Sequence, residues 1–397
     1  MTGCPRTGPA KSITLGEVVR TALPGFSQTH RLPVHHWKVL RAIAACHTPA
    51  LGGHQYQCTH CGKEAFVPHT CGNRHCPTCQ RLRGAQWLEE QTEHLLPIPY
   101  FHVVFTLPHE LNWLIQHNQA SLYSLLFSSA TATLLQFGRN NIKASLGVTA
   151  VLHTWSQTLL DHYHLHCVVT GGGLSLDGQS WVSLCPQWLF PVRALSLVFR
   201  AKFRDGLKQL FDQGELQFPA SQPRLSNPVV FASWLRHLCR HQWIVYTKRP
   251  FGGPQAVLAY LCRYTHRVAI TNSRIEALDI HDGTVTFRYK DYAHESRIRS
   301  MTLPQQEFLR RFCLHILPPR FVKIRHFGIL SNRNRPARIA QARVLLAQSP
   351  PPSEEAQQPA LTVKHVEPPP LVCPYCGHAA LVLIRVIDRA RPTWDSS

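Results

Sequence analysis

Three histidines alternate in the segment His162-Tyr-His164-Leu-His166. On a β-strand, positions two apart face the same side, so the three imidazoles share one face while Leu165 turns toward a core. Neighbouring imidazoles can each offer a neutral ring nitrogen to a divalent ion, which makes His164 and His166 candidate ligands of a metal. A third ligand can come from the adjoining strand. A hairpin from Val148 to Thr170 brings His153, 11 residues before His164, across from it, and His162 is the alternative. The chain holds 25 histidines, so chance pairings are expected, but an array of three beside Gly171-Gly-Gly173 is harder to dismiss.

A second pair of chemically able groups lies in Val257-Leu-Ala-Tyr260-Leu-Cys-Arg-Tyr264-Thr-His-Arg267. Four residues of helix put the two phenols on one face, about one turn apart, within reach of a common phosphate. Such a pair is ordinarily core packing. Its combination with the histidine strand and the basic character of the chain gives it a chemical meaning. Arg263 and Arg267 flank Tyr264 and can contact phosphate, with plain solvation as the equal alternative.

Cysteines form a third constellation. Cys58-Thr-His-Cys61 and Cys76-Pro-Thr-Cys79 are two CxxC knuckles separated by 14 residues, a spacing close to that at which four thiolates surround one structural Zn²⁺. Cys46, His54, Cys71 and His75 lie close by and can complete a second site or replace a member of the first. Cys373-Pro-Tyr-Cys376 is half a site that needs ligands from elsewhere, His365 and His378 being the nearest candidates. With no signal peptide ahead of them, the 14 cysteines read as metal ligands in a reducing compartment rather than as a disulfide framework.

These groups must be positioned by the surrounding elements. Helices are expected over Val34–Ala45, Arg81–Leu96, most of Leu111–Phe137, Val192–Phe211 and from the Gly252-Gly253-Pro254 turn to about Tyr264. Strands are expected at Tyr100–Leu107, Val148–Trp155, Tyr163–Thr170, Trp243–Thr247, Val268–Thr271, Ile275–Ile280 and Thr284–Tyr289, with Asp282-Gly283 turning the last pair. The pattern is that of an α+β protein whose antiparallel sheet is flanked by helices. A contiguous reading divides it into a zinc-binding module (1–92), a catalytic domain with a basic end (93–345), a Pro-rich linker (346–372) and a short tail carrying the last CxxC (373–397).

Lys and Arg number 42 against 22 Asp and Glu, a formal charge of +20, which suits a nucleic-acid backbone. From Phe308 to Val344 there are nine basic residues and no acidic one, among them Arg310, Arg311, Lys323 and Arg325, interleaved with Phe312, Phe321 and Phe327. That composition suits tracking a DNA backbone while stacking its bases. No apolar run reaches the ~20 residues that span a bilayer, so a soluble, cytoplasmic, DNA-associated protein is expected.

The histidine strand upstream of a Tyr-x3-Tyr helix, preceded by Cys71-Gly-Asn-Arg-His-Cys-Pro-Thr-Cys-Gln80, resembles the two-tyrosine HUH rolling-circle transposases of bacterial insertion sequences. The resemblance extends from the zinc module and Tyr100–Leu107, through His153-Thr-Trp155 and Tyr264-Thr-His-Arg-Val-Ala-Ile270, to Phe287-Arg-Tyr-Lys-Asp-Tyr292, Phe308-Leu-Arg-Arg-Phe312 and Arg325-His-Phe-Gly328. It implies an HUH endonuclease-like fold, His164 and His166 as ligands of a catalytic metal, and Tyr260 and Tyr264 as nucleophiles. Tyr163 stands where that family commonly has proline, and Gly72 where it commonly has arginine. Neither departure removes a ligand or a nucleophile.

The chemistry so implied is cleavage of single-stranded or hairpin DNA beside Mg²⁺ or Mn²⁺, through a 5′-phosphotyrosine that conserves the bond energy. No Walker loop is present, in keeping with a reaction that needs no ATP. A plasmid replication initiator or relaxase would share the chemistry, and a zinc-dependent DNA-binding protein would use the same residues structurally.

Overall fold

The computed structural model describes residues 13–92, 94–185, 189–248, 256–257, 267–292, 294–348 and 371–389. In chain order, the first elements are α1 (Leu15–Thr29), α2 (Val34–Ala45), β1 (Gly53–Cys58), β2 (Glu64–Pro68), α3 (Pro77–Thr92) and β3 (Tyr100–Thr106). Then come α4 (Asn112–His117), α5 (Gln119–Ile142), β4 (Ala144–Trp155), β5 (Asp161–Ser175), β6 (Trp181–Ser183), α6 (Val192–Asp212), α7 (Pro228–Leu238) and β7 (Val245–Lys248). The chain continues through β8 (Ile275–Asp279), β9 (Thr284–Asp291), β10 (Arg297–Pro304), α8 (Gln305–Cys313), β11 (Ile324–Gly328), α9 (Arg335–Gln348) and β12 (Leu381–Ile387). The α+β class expected from the sequence is the class found.

The chain forms two compact units, and neither is contiguous. One gathers the described residues within 1–83, 267–316 and 361–397, the other those within 84–266 and 317–360. The contiguous boundaries read from the sequence therefore miss two exchanges: β8 to β10 belong with the N-terminal elements, and so does the tail that carries Cys373.

In the second unit the described strands form an antiparallel sheet of order β11-β4-β5-β3-β7, with β6 added to β5. Strict alternation gives the sheet two faces. Phe101, Val103 and Phe105 of β3, Leu146, Val148, Ala150 and Leu152 of β4, and Tyr163, Leu165, Cys167 and Val169 of β5 join one core with α5, α6 and α7. Burial of each such phenylalanine contributes about 1.5–3 kcal/mol, which fixes the register, because a one-residue slip would expose the whole set. The intervening residues, His102, His153, His164 and His166 among them, lie on the opposite face. There Tyr100, Val168, Trp181, Ile329, Ile339 and Val257 form a second, smaller core. Tyr163, the residue that departs from the expected proline, is fully buried among the first set and donates its hydroxyl to Asp161 at 2.8 Å.

The first unit holds two three-stranded sheets, β12-β1-β2 and β10-β9-β8. The expected Asp282-Gly283 turn joins β8 to β9. No strand forms at 268–271, where the chain instead leads into a short 3-10 turn at Asn272–Arg274. The helix α1, absent from the sequence reading, opens with a capping box: Thr14 Oγ1 accepts from the Glu17 amide, and the Thr14 amide donates to the Glu17 carboxylate at 2.8 Å. No helix among the described residues is long and apolar enough to cross a membrane.

Candidate metal centres

The antiparallel register of β4 and β5 sets His153 directly opposite His164. His166 follows two residues on, and one ring nitrogen from each of His153, His164 and His166 lies within 4.8 Å of the others. His153 is 2% exposed and His166 9%, so the cluster sits in the sheet surface rather than on a solvated loop. His162 continues the row but does not join the cluster; its ring lies against His109 and His164, and burial lowers its pKa.

The hydrogen bonds around the cluster bear on which nitrogen His164 and His166 present. His164 Nδ1 is 2.7 Å from the carbonyl of His162; a carbonyl only accepts, so Nδ1 carries the proton and Nε2 keeps its lone pair. His166 Nδ1 lies 2.9 Å from Nε2 of His102. Were His166 to ligate through Nε2, its Nδ1–H would donate to His102. Burial, helped by Lys248 opposite on β7, lowers the His102 pKa to about 4, so His102 stays neutral and can accept that bond. From the sequence Tyr100–Leu107 reads as a buried strand, with no role for His102. Its signal was present in the strict alternation of that run, which puts His102 on the face opposite Phe101 and Val103.

Such outer partners orient a ligating imidazole, and removing one typically costs 10–100-fold in metal affinity. His102→Ala is accordingly expected to weaken divalent-ion binding about tenfold or more, as read by calorimetric titration of Mn²⁺. An unchanged affinity would make the His102–His166 bond incidental.

Thiols collect at two other points, both in the first unit. Cys46, Cys71, Cys76 and Cys79 form one set, and Cys58, Cys61, Cys373 and Cys376 the other, each with its sulfurs within 4.8 Å of one another. This corrects the sequence expectation that the knuckles Cys58/Cys61 and Cys76/Cys79 share one ion. The knuckles end different elements: Cys58 closes β1, whereas Cys76 immediately precedes Pro77, the first residue of α3, and Cys79 lies in its first turn. His54 and His75, named as possible further ligands, belong to neither set.

The first set fits zinc. Cys46 Sγ is 3.7 Å from both Cys79 and Cys76, and Cys71 Sγ is 3.6 Å from Cys79. Four sulfurs at the usual ~2.3 Å from a tetrahedral ion stand about 3.8 Å apart. The amides of Cys71 and Asn73 donate to Cys46 Sγ and Cys71 Sγ, both at 3.5 Å, and Cys76 and Cys79 occupy the positive end of α3. Both features favour thiolates. Hydrogen bonds with Cys46 and Cys71 pull the Cys76 thiol down, while hydrogen bonds with Cys46 and Cys76 push the Cys71 thiol up.

The basic stretch does not behave as one surface. Arg310 and Arg311 lie on α8 in the first unit, where both grip Glu307, at 2.6 and 2.7 Å, and hold its pKa near 2. Lys323 and Arg325 belong to the second unit. The Arg325 guanidinium rests on the rings of Phe127 and Phe321, and Lys323 lies over Trp155. Phe308 and Phe312 are buried, so they pack a core rather than offer faces to bases. Tyr260, Tyr264 and Arg263 lie outside the described residues, as does His365. Arg267 lies at the start of the segment that joins the first unit.

Comparison with known proteins supplies the context. Residues 147–337 match a family model described as "Putative transposase", and residues 18–107 match one described as "Transposase zinc-binding domain". "Putative transposase y4qJ" of Sinorhizobium fredii is 42% identical over 96% of this chain and 96% of its own length. "Transposase for insertion sequence element IS801" of Pseudomonas savastanoi pv. phaseolicola is 30% identical over 73% of this chain and 69% of its own. A solved structure of the conjugative relaxase TrwC in complex with oriT DNA aligns over 50% of this chain and 69% of that one, with a TM-score of 0.26 and 14% identity, a likeness too slight to argue from. The chain belongs to the IS91/IS801-type transposases, enzymes of insertion sequences with an N-terminal zinc-binding domain.

Proposed function

We propose that this transposase cuts single-stranded or hairpin DNA at its element ends by attack of a tyrosine on phosphorus, and joins the ends by a second such transfer. The observation that carries the reading is the imidazole cluster of His153, His164 and His166, with the Nε2 lone pair of His164 fixed by its own hydrogen bond. In the attack, the phenolic oxygen of Tyr260 or Tyr264 bonds to phosphorus and the P–O3′ bond breaks. The net result is a 5′-phosphotyrosine and a 3′-hydroxyl that holds the displaced proton.

Val257 supports the assignment of the nucleophiles. It packs with Tyr100 and Val168 in the smaller core, on the sheet face that also carries the histidines. On the helix expected from the sequence, positions 260 and 264 follow 257 by three and seven residues and so share its face. Two phenols four residues apart in the sequence suit a process in which one holds the first DNA end while the other attacks the second.

Three converging imidazoles fit a divalent ion, and Mg²⁺ or Mn²⁺ bound there would supply Lewis-acid polarisation of the phosphate. His153, His164 and His166 would hold the ion, and His102 and the His162 carbonyl would orient the rings of His166 and His164. An all-nitrogen donor set suits Mn²⁺ better than Mg²⁺, which seeks oxygen. Half-maximal cleavage is therefore expected at several-fold lower Mn²⁺ than Mg²⁺ in parallel titrations, and equal requirements would count against ligation by the three imidazoles.

The direct test is incubation with 5′- and 3′-labelled single-stranded oligonucleotides of the element ends. The expected product is a covalent adduct, its formation blocked by EDTA, that carries the 3′ label, because the tyrosine holds the 5′ phosphate of the fragment downstream of the cut. Binding without an adduct on any end sequence would favour a DNA-binding role for the same residues.

A further inference from the structure

Two turns in the first unit are built to one plan. In Cys58-Thr-His-Cys61-Gly62-Lys63, the Gly62 amide donates to the Cys58 carbonyl at 2.8 Å and the Cys58 amide to the Lys63 carbonyl at 2.9 Å. In Cys373-Pro-Tyr-Cys376-Gly377-His378, the equivalent bonds run from Gly377 to Cys373 and from Cys373 to His378, both at 2.8 Å. Gly62 and Gly377 have φ of 72° and 75°, with open space where a Cβ would sit, so glycine is required for the left-handed backbone and not for room. A turn of this kind brings two sulfurs around to one point. Cys76-Pro-Thr-Cys79-Gln80 lacks the glycine and runs into a helix instead.

The sulfurs of the two turns interlock. Cys58 Sγ is 3.6 Å from Cys376 and Cys61 Sγ is 3.7 Å from Cys373. These separations are far beyond the ~2.05 Å of a disulfide. They match the ~3.8 Å edge of a sulfur tetrahedron around zinc.

The surrounding sheet shows why an ion is called for. β12 pairs antiparallel with β1, from Gly53↔Ile387 to Cys58↔Leu381, yet Val382, Leu383, Ile384 and Val386 remain about half exposed. A three-stranded sheet that buries so little has a weak claim to independent stability, and small domains of this kind rely on a metal or a disulfide. Cys373 and Cys376 also lie outside both matched stretches, 18–107 and 147–337, so neither family model assigns them a role.

We propose that Cys58, Cys61, Cys373 and Cys376 bind a second structural Zn²⁺, separate from the ion of Cys46, Cys71, Cys76 and Cys79, that clasps the segment around β12 to the N-terminal hairpin. The chain would then close on itself across 312 positions through two like turns.

Native mass spectrometry of the full chain, purified without chelator, is expected to show two zinc ions. The Cys373→Ser/Cys376→Ser chain should show one. In the wild-type chain, which needs no variant to fold, Cys373 and Cys376 should resist alkylation until zinc is chelated, whereas the exposed Cys185 reacts at once. One zinc per wild-type chain, two retained in the double variant, or Cys373 and Cys376 alkylated as fast as Cys185 would each overturn the proposal, as would disulfides linking these four residues.

Discussion

Replacement of His164 by alanine is expected to slow single-strand cleavage by about a thousandfold or more while leaving the protein folded. The three ring nitrogens of the cluster are not equally expendable structurally. His153 is buried against Trp155, and His166 is tied to His102, so removing either disturbs the sheet as well as the ion. His164 is only half-buried, and its Nδ1 donates to the main-chain carbonyl two residues back. That carbonyl can turn to water, so the stability cost should stay near 1 kcal/mol. Loss of a Lewis acid worth about 4 kcal/mol to the transition state corresponds to roughly 10³ in rate. His162→Ala is the matched control. It keeps the main-chain carbonyl, lies outside the cluster, and should change the rate by only about threefold. Single-turnover cleavage in Mn²⁺, paired with thermal unfolding, checks both variants. A His164→Ala enzyme at full rate, or a His162→Ala enzyme equally impaired, would remove the cluster from the chemistry.

How much of this arrangement was legible in the sequence depends on the range over which each signal acts. Alternation along a strand is local, so the division of Tyr163, Leu165 and Cys167 from His164 and His166 could be read directly. Counting back through a hairpin is nearly as local, and the observed register has His153 across from His164. The pairing of β3 with β5 joins residues about 64 positions apart, and nothing near His102 announces it. The cysteines misled for a related reason. Spacing within a knuckle says that two thiols converge, but not with which others. Cys46 and Cys71 carry no pair spacing at all, and the partners of Cys58 and Cys61 come from beyond residue 370. The one available clue was the glycine shared by Cys61-Gly62 and Cys376-Gly377.

The basic stretch shows how the edge of a window can hide a contact. Counting from Phe308 leaves the segment free of acid, but Glu307 stands one residue earlier, at helical spacings of three and four from Arg310 and Arg311. A pair at those spacings meets on one helix face. The two arginines thus secure their own helix, and the interleaved phenylalanines fill the cores beneath. Among the basic residues named from the sequence, Lys323 and Arg325 share a unit with the histidine cluster. The composition was read correctly as basic, but its division between two units could not be seen without the fold.

The largest effect is expected at the tyrosines. Tyr260→Phe and Tyr264→Phe together remove both phenolic oxygens and leave the aromatic rings in place, so the chain should bind DNA and zinc as before. Neither tyrosine can then form a phosphotyrosine, and the adduct should fall below detection, a loss of at least about 10⁴. The single variants carry more information. If the two phenols take successive ends, each single variant should still cut one end but fail to join two, giving adduct without strand-transfer product. Peptide mapping of that adduct should find DNA on the remaining tyrosine in each case. Were one single variant to keep both cleavage and joining, the other tyrosine would act alone by releasing and reattacking, and the partner would revert to a packing role. An adduct from the double variant would place the nucleophile elsewhere in the chain and leave the histidine cluster without the partner inferred for it.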